Sequence, residues 1–124
     1  MTRIKTATSA LSLSSCLLWS AIAAAGPAEI IDVQVRKGQN GYRFDVTIRH
    51  ADTGWEHYAD GWEVLSPDGE ALGKRVLMHP HVNEQPFTRS LSGVSVPAGM
   101  DSVVIRAHDS VHGYNDKTYK VKLP

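Results

Sequence analysis

Cysteine is almost absent from this chain, and that absence removes several kinds of chemistry. The single cysteine, Cys16, lies in a segment that reads as a cleavable leader. A chain that loses this segment has no disulfide, no thiolate ligand for a metal ion and no cysteine nucleophile. Without thiolates, a transition-metal site of imidazole and carboxylate groups is the most consistent with the remaining chain.

The N-terminal segment has the layout of a secretory signal peptide. A short basic stretch with Arg3 and Lys5 precedes small and apolar residues at 10–25, and Ala25 is followed by Gly26. This pattern predicts a signal peptide at 1–25 and one domain at 26–124, in a periplasmic or secreted protein. The apolar stretch is too short for a membrane span, so none is expected after cleavage. Two alternatives stay open: a retained anchor, and lipoprotein processing at Cys16.

An excess of basic residues is also missing. The whole chain has 13 Lys and Arg against 13 Asp and Glu. Arg3 and Lys5 leave with the predicted signal peptide, which makes the remaining charge slightly negative. Such a chain has no excess of basic residues to hold a phosphate backbone, so a nucleic-acid partner is not expected. A protein or a small ligand is the expected kind of partner.

Helical periodicity is absent, and short alternating runs take its place. Apolar and polar residues alternate at 42–49, which is typical of a half-buried strand. Turn residues such as Ser66-Pro67-Asp68-Gly69 separate the runs. The pattern predicts an all-β fold, a single immunoglobulin-like or fibronectin-III-like antiparallel sandwich of about seven strands. The predicted strands cover residues 31–36, 42–49, 62–65, 72–78, 87–91, 103–107 and 119–123.

The histidines of the chain gather at one end of this predicted sandwich. Strands of alternating direction place the loops after the second, fourth and sixth strands at the same end. All six histidines fall in or beside these three loops, and the turns at the other end contain none. Loops at one end of a rigid sandwich are a common place for a binding site. The convergence of the histidines, rather than any single one, carries this interpretation.

The side-chain types and spacing predict a transition-metal site for Cu or Zn. His79 and His81 can share one face of an extended segment. His50 is in phase with the apolar face of the second strand, whereas His108 is out of phase with Ile105. The predicted ligands are His79, His81, His50 and His108. The possible auxiliary residues are His57, His112, Asp109 and Asp52.

Two other functions stay open. The same loops carry Trp55, Tyr58 and Tyr114, which suit a protein- or carbohydrate-binding module without a metal. An enzyme is the least favoured hypothesis. Asp109-Ser110, with a neighbouring histidine, has the residue types of a hydrolytic triad, but the chain has no HExxH motif and no nucleophile elbow.

Three stretches carry a resemblance to known proteins. They are HADTGWEHYADGWEVLSPDGEALG, HPHVNEQPFTRSL and RAHDSVHGY. Together they resemble small exported bacterial proteins of unassigned activity. The resemblance covers most of the chain after the leader and implies an exported β-sandwich. It assigns no functional residue.

Overall fold

The computed structural model describes residues 25–124, and these residues are organised as β-strands. Most of the predicted signal peptide therefore lies outside the described residues. The strands are β1 (Glu29–Gly38), β2 (Gly41–Arg49), β3 (Ala59–Leu65), β4 (Ala71–Val76), β5 (Phe87–Val94), β6 (Ser102–Asp109), β7 (Gly113–Tyr114) and β8 (Tyr119–Lys122). Within residues 25–124 no helix is long and apolar enough to cross a membrane.

The strands form two antiparallel sheets. One sheet has three strands in the order β1-β2-β5. The other has five, in the order β4-β3-β6-β7, with β8 also paired to β6. Both β7 and β8 can pair with β6 because they use different parts of it. Tyr114 lies opposite His108 near its end, whereas Val121 lies opposite Val103 near its start.

The core lies between the two sheets and explains the alternation seen in the sequence. Phe44, Val46 and Ile48 of β2 are completely buried, as are Trp62 and Val64 of β3 and Val103, Ile105 and Ala107 of β6. Residues that alternate along a strand point to opposite faces. Strands β2 and β6 therefore contribute every second residue to the core, and the residues between them lie on the outer face.

The predicted all-β architecture is confirmed, and each of the seven predicted strands overlaps a strand of the structure. The fourth predicted strand, at 72–78, extends two residues too far, since β4 ends at Val76. The two-residue strand β7 was not predicted. It is too short to produce a period-2 pattern, and it forms through its pairing with the end of β6.

The predicted clustering of three loops at one end is confirmed by direct contacts. The loops are residues 50–58, 77–86 and 110–118, and we call this region the histidine end. The amide of Ser110 donates to the carbonyl of Tyr58 at 3.0 Å. The amide of His50 donates to the side-chain oxygen of Gln85, also at 3.0 Å. The first loop is thus bonded to both of the others.

Candidate metal centre

The buried carboxylate of Asp52 fixes the orientation of His50. His50 continues the buried face of β2, and its side chain is only 1% exposed. Its Nδ1 lies 2.5 Å from Asp52 Oδ1, which also accepts the amide of Ala59 at 3.0 Å. Asp52 Oδ2 accepts the amide of His81 at 2.7 Å. Because the carboxylate can only accept, His50 Nδ1 carries the proton, and Nε2 keeps a free lone pair.

That lone pair is directed toward two other potential ligands. His50 Nε2 lies 3.2 Å from His57 Nε2, which in turn lies 2.9 Å from Asp109 Oδ1. One ligand atom from each of these residues can be chosen so that all lie within 4.8 Å of one another. Two ligands of a tetrahedral ion with bonds of about 2.0–2.1 Å are separated by roughly 3.3 Å. The spacing of the two imidazoles therefore fits a shared metal ion, which would displace the proton that His57 Nε2 donates to the Asp109 carboxylate.

Asp109 supplies a fully buried carboxylate whose two oxygens differ in the number of their hydrogen-bond partners. Its Oδ1 accepts the amides of Val111 at 3.0 Å and His112 at 2.8 Å, and contacts His112 Nδ1 at 3.0 Å. Its Oδ2 is buried and has no hydrogen-bond partner within residues 25–124. A buried acceptor without a partner is unfavourable, and a bound cation would satisfy it.

The same contacts keep this carboxylate ionised. Burial alone would raise the pKa of Asp109, but the amides of His112 and Val111 and the rings of His112 and His57 lower it to about 2. The side chain is therefore a carboxylate at any physiological pH. A metal ion would not have to displace a proton from it.

The exposed side chains show how an ion could reach this group. His50 and Asp109 are almost inaccessible, whereas the side chain of His57 is 14% exposed and that of His112 is 38% exposed. The rings of His57 and His112 have centroids 5.0 Å apart. Access is thus from the His57 and His112 side, where His112 Nδ1 lies 3.0 Å from Asp109 Oδ1.

His79 and His81 lie elsewhere at the histidine end. Their ring centroids are 4.6 Å apart, and His81 stacks on Phe87 at 3.9 Å. An Arg89 nitrogen lies 3.0 Å from His81 Nε2. Since a guanidinium can only donate, this imidazole nitrogen is already used as an acceptor. Burial, followed by the charges of Arg89 and His79, lowers the pKa of His81.

His108 points to the outer face of the five-stranded sheet, as its phase predicts. Its Nδ1 is hydrogen-bonded to Asp60, and its ring lies edge-on to Tyr114. The predicted ligands therefore lie in three places, with His50 in one, His79 and His81 in another and His108 in the third. His50 lies beside the predicted auxiliary residues His57, Asp109, His112 and Asp52. Metal ligation by any of them stays a prediction.

One signal in the sequence could have placed Asp109 among the predicted ligands instead of the auxiliary residues. Val103, Ile105 and Ala107 alternate on the buried face of β6, and Asp109 continues that phase. The strand therefore carries the carboxylate to the rim of the core, on the same side as His50. No comparable signal marks His57, which is placed by the course of an irregular loop.

Comparison with known proteins shows a similarity that covers most of the chain. The chain is similar to a protein of Halomicrobium mukohataei named "Putative lipoprotein", with 41% identity over 95 residues. The matched region is 76% of this chain and 46% of the relative, so the chain spans about half the relative's length. No protein-family model matches the chain, and no solved structure matches it.

Proposed function

We propose that this protein is an exported β-sandwich domain that binds one Zn(II) or Cu(II) ion through His50, His57 and Asp109. The observation that carries the proposal is the arrangement of His50. A buried carboxylate holds its Nδ1 proton while Nε2 points at a second imidazole 3.2 Å away. A carboxylate behind an imidazole is a recurrent arrangement in metal sites, where it orients the ligand and increases its basicity.

The chemistry of the ligands favours these ions over Mg(II) and Ca(II). Two imidazoles and one carboxylate suit Zn(II) and Cu(II), whereas the two hard cations prefer sets made of oxygen. Three protein ligands leave room for His112 or a water molecule. The unpartnered Oδ2 of Asp109 supports a cation at this point as well.

We further propose that the fold is of the fibronectin-III-like type. The support is the order of the strands: β1-β2-β5 in one sheet, and β4, β3, β6 and β8 as successive neighbours in the other. In the constant-type immunoglobulin domain, a fourth strand instead joins the first sheet next to the third.

Export is part of the same proposal. It is supported by the predicted signal peptide at 1–25 and by the name of the Halomicrobium mukohataei relative. A periplasmic or secreted location permits disulfides but does not require them, so it is compatible with a domain that has no cysteine after cleavage. The relative's name also supports the alternative in which Cys16 is the lipid-carrying residue, and mass spectrometry of the processed protein would distinguish the two.

Calorimetric titration with Zn(II) and Cu(II) near neutral pH tests the metal site. We expect one ion per chain for the natural protein. We expect His57→Ala to weaken binding by at least roughly tenfold, within the range seen when metal-site groups are removed. His57 is the best position to change because it is the most exposed of the three ligands.

The double variant His79→Ala/His81→Ala is the matched control. It removes two histidines from the same end of the molecule and leaves His50, His57 and Asp109 in place. If the control loses the ion and His57→Ala retains it, the proposed site is wrong, and the pair His79 and His81 becomes the candidate.

A specific observation also supports a second function, recognition of a protein through the histidine end. Trp55, Met78, Val82 and Val111 are at least half exposed, and all lie in the three loops. Exposed apolar side chains that gather in one region are typical of interaction surfaces. A Trp55→Ser/Val111→Ser variant should then fail to retain a partner in crosslinking from envelope extracts while its metal titration is unchanged.

A further inference from the structure

A cleft lies on the outer face of the five-stranded sheet, on the side away from the candidate metal centre. Its volume is about 210 Å³. Pairing explains its origin: Gly61 of β3 lies between Val76 of β4 and His108 of β6. Residues that face each other across strands project to the same side of a sheet. Because Gly61 has no side chain, a gap remains between the other two.

One wall of the cleft carries a hydrogen-bond acceptor with a defined orientation. The pairing of β3 with β6 has a register shift at Asp60. The Asp60 carboxylate is hydrogen-bonded to His108 Nδ1 on the outer face of the sheet. The carboxylate accepts the Nδ1 proton, so Nε2 of the neutral imidazole is an acceptor. Within residues 25–124, this Nε2 makes no hydrogen bond, and Tyr58 and Tyr114 line the same cleft.

The opposite wall carries a cation that is not neutralised by an ion pair. Lys74 lines the cleft and lies opposite Glu63 in the register of β3 and β4. Arg106 donates to one oxygen of Glu63 at 2.8 and 2.9 Å, and the Tyr114 hydroxyl donates to the other at 2.7 Å. Lys74 interacts with this carboxylate electrostatically without bonding to it. Lys74 forms no salt bridge within the part of the chain that the structure describes.

We propose that this cleft binds a small organic acid with a flat apolar body, whose carboxylate contacts Lys74 and whose hydroxyl or amino group donates to His108 Nε2. Val76 and the tyrosine rings would contact the apolar body. The backbones of β4 and β6 are separated by two strand spacings, about 10 Å. Side chains reaching inward from both strands leave a span suited to one substituted ring.

The size of the cleft supports a ligand of this kind. Pockets for drug-sized ligands have volumes of about 300–1,000 Å³, so this cleft is limited to a smaller molecule. The proposal does not depend on the metal site. His108 and Asp60 face away from the buried face of β6 that carries Asp109.

Titration of the isotope-labelled protein with 4-hydroxybenzoate, followed by NMR, tests the proposal. Benzoate lacks the donor and phenol lacks the carboxylate, so the three probes separate the two contacts. We expect saturable shifts of Gly61, Val76 and His108 with 4-hydroxybenzoate. Benzoate should bind about fivefold more weakly, the usual effect of one neutral hydrogen bond, and phenol roughly tenfold more weakly.

Substitutions locate each contact. Lys74→Gln should weaken the binding of both acids roughly tenfold. Lys37→Gln, near the end of β1 in the other sheet, should have no effect. His108→Phe should remove the advantage of 4-hydroxybenzoate over benzoate and leave benzoate binding unchanged. Val76→Phe should fill the gap beside Gly61 and abolish binding. Val111→Phe is its control, since Val111 is also exposed but lies outside the cleft.

Three results would overturn the proposal. They are shifts that do not saturate up to millimolar concentration, equal affinity for phenol and the two acids, and affinity for the acids that survives Lys74→Gln. Zn(II) binding should be unchanged in Lys74→Gln and Val76→Phe, which alter no group of the candidate metal centre, so failure of the cleft proposal and failure of the metal proposal can be distinguished.

Discussion

His108 and Asp109 are neighbours in β6, yet their side chains lie in contrasting surroundings. Asp109 faces the rim of the core, is completely buried and accepts several hydrogen bonds. His108 faces outward, and its bond to Asp60 joins side chains that are 33% and 27% exposed. The comparison shows that polar side chains differ in exposure and in hydrogen bonding between the two faces of the sheet. On the inner face a polar atom without a partner is unfavourable, as for Asp109 Oδ2, whereas on the outer face water can serve as the partner.

The largest loss in the free energy of unfolding should come from substitution of Asp52, on the inner face. Its carboxylate accepts hydrogen bonds from the His50 ring and from the amides of Ala59 and His81. Asp52→Ala leaves these buried donors without their acceptor, and we expect a loss of about 3 kcal/mol in the free energy of unfolding. Urea unfolding near neutral pH measures the loss. A loss comparable to that of an exposed substitution would mean that the inner network does not stabilise the fold.

Acid titration of Asp109 gives the next largest effect. Its pKa is about 2 in the folded protein, against an ordinary value of 3.8. A depressed pKa stabilises the fold above the ordinary value, and this stability is lost as the pH falls from about 4 to about 2. The shift corresponds to about 2 kcal/mol.

Comparison of the natural protein with Asp109→Asn between pH 5 and pH 2 would measure this contribution. The free energy of unfolding of the variant should fall less steeply with decreasing pH. Parallel curves for the two proteins would contradict the assigned environment of Asp109.

His81 allows a further test of burial at the histidine end. Burial next to Phe87, together with the charges of Arg89 and His79, lowers the pKa of His81 below its ordinary value of 6.5. The neutral ring therefore stabilises the fold above that value, and stability falls as the pH decreases below it. The unfolding free energy of His81→Gln should change less between pH 7 and pH 5 than that of the natural protein. A steeper change in the variant would be the opposite of what we expect.

The smallest effect is expected on the outer face. Asp60→Ala removes the partner of His108, but both side chains contact solvent. Exposed ion pairs contribute about 0–1 kcal/mol, so the free energy of unfolding should change by less than about 1 kcal/mol. A loss as large as that of Asp52→Ala would remove the distinction between the two faces.

Much of the fold could be predicted because it depends on local alternation. The period-2 pattern of β2 places Phe44, Val46 and Ile48 in the core and extends to His50. The same reasoning correctly separates His108 from Ile105. The short strand β7 has no local signal, because its residues pair only once β6 is in place.

The candidate site was harder to predict because it depends on contacts between loops. The spacing of His79 and His81 suggests a pair of ligands. In the structure, however, Phe87 of the following strand stacks on the His81 ring, and Arg89 of the same strand donates to its Nε2. His57 joins His50 only because its loop folds back over the end of the sandwich. Asp52 bonds residues that follow it by 7 and 29 positions, and no sequence pattern indicates such contacts.

The most direct test of the central claim is the nitrogen-15 spectrum of the histidine side chains before and after addition of one equivalent of Zn(II). We expect the Nε2 resonances of His50 and His57 to move to metal-bound positions, while His50 Nδ1 keeps the proton that it donates to Asp52. Unchanged resonances of these two rings, together with metal-bound signals from His79 and His81, would contradict the site described above.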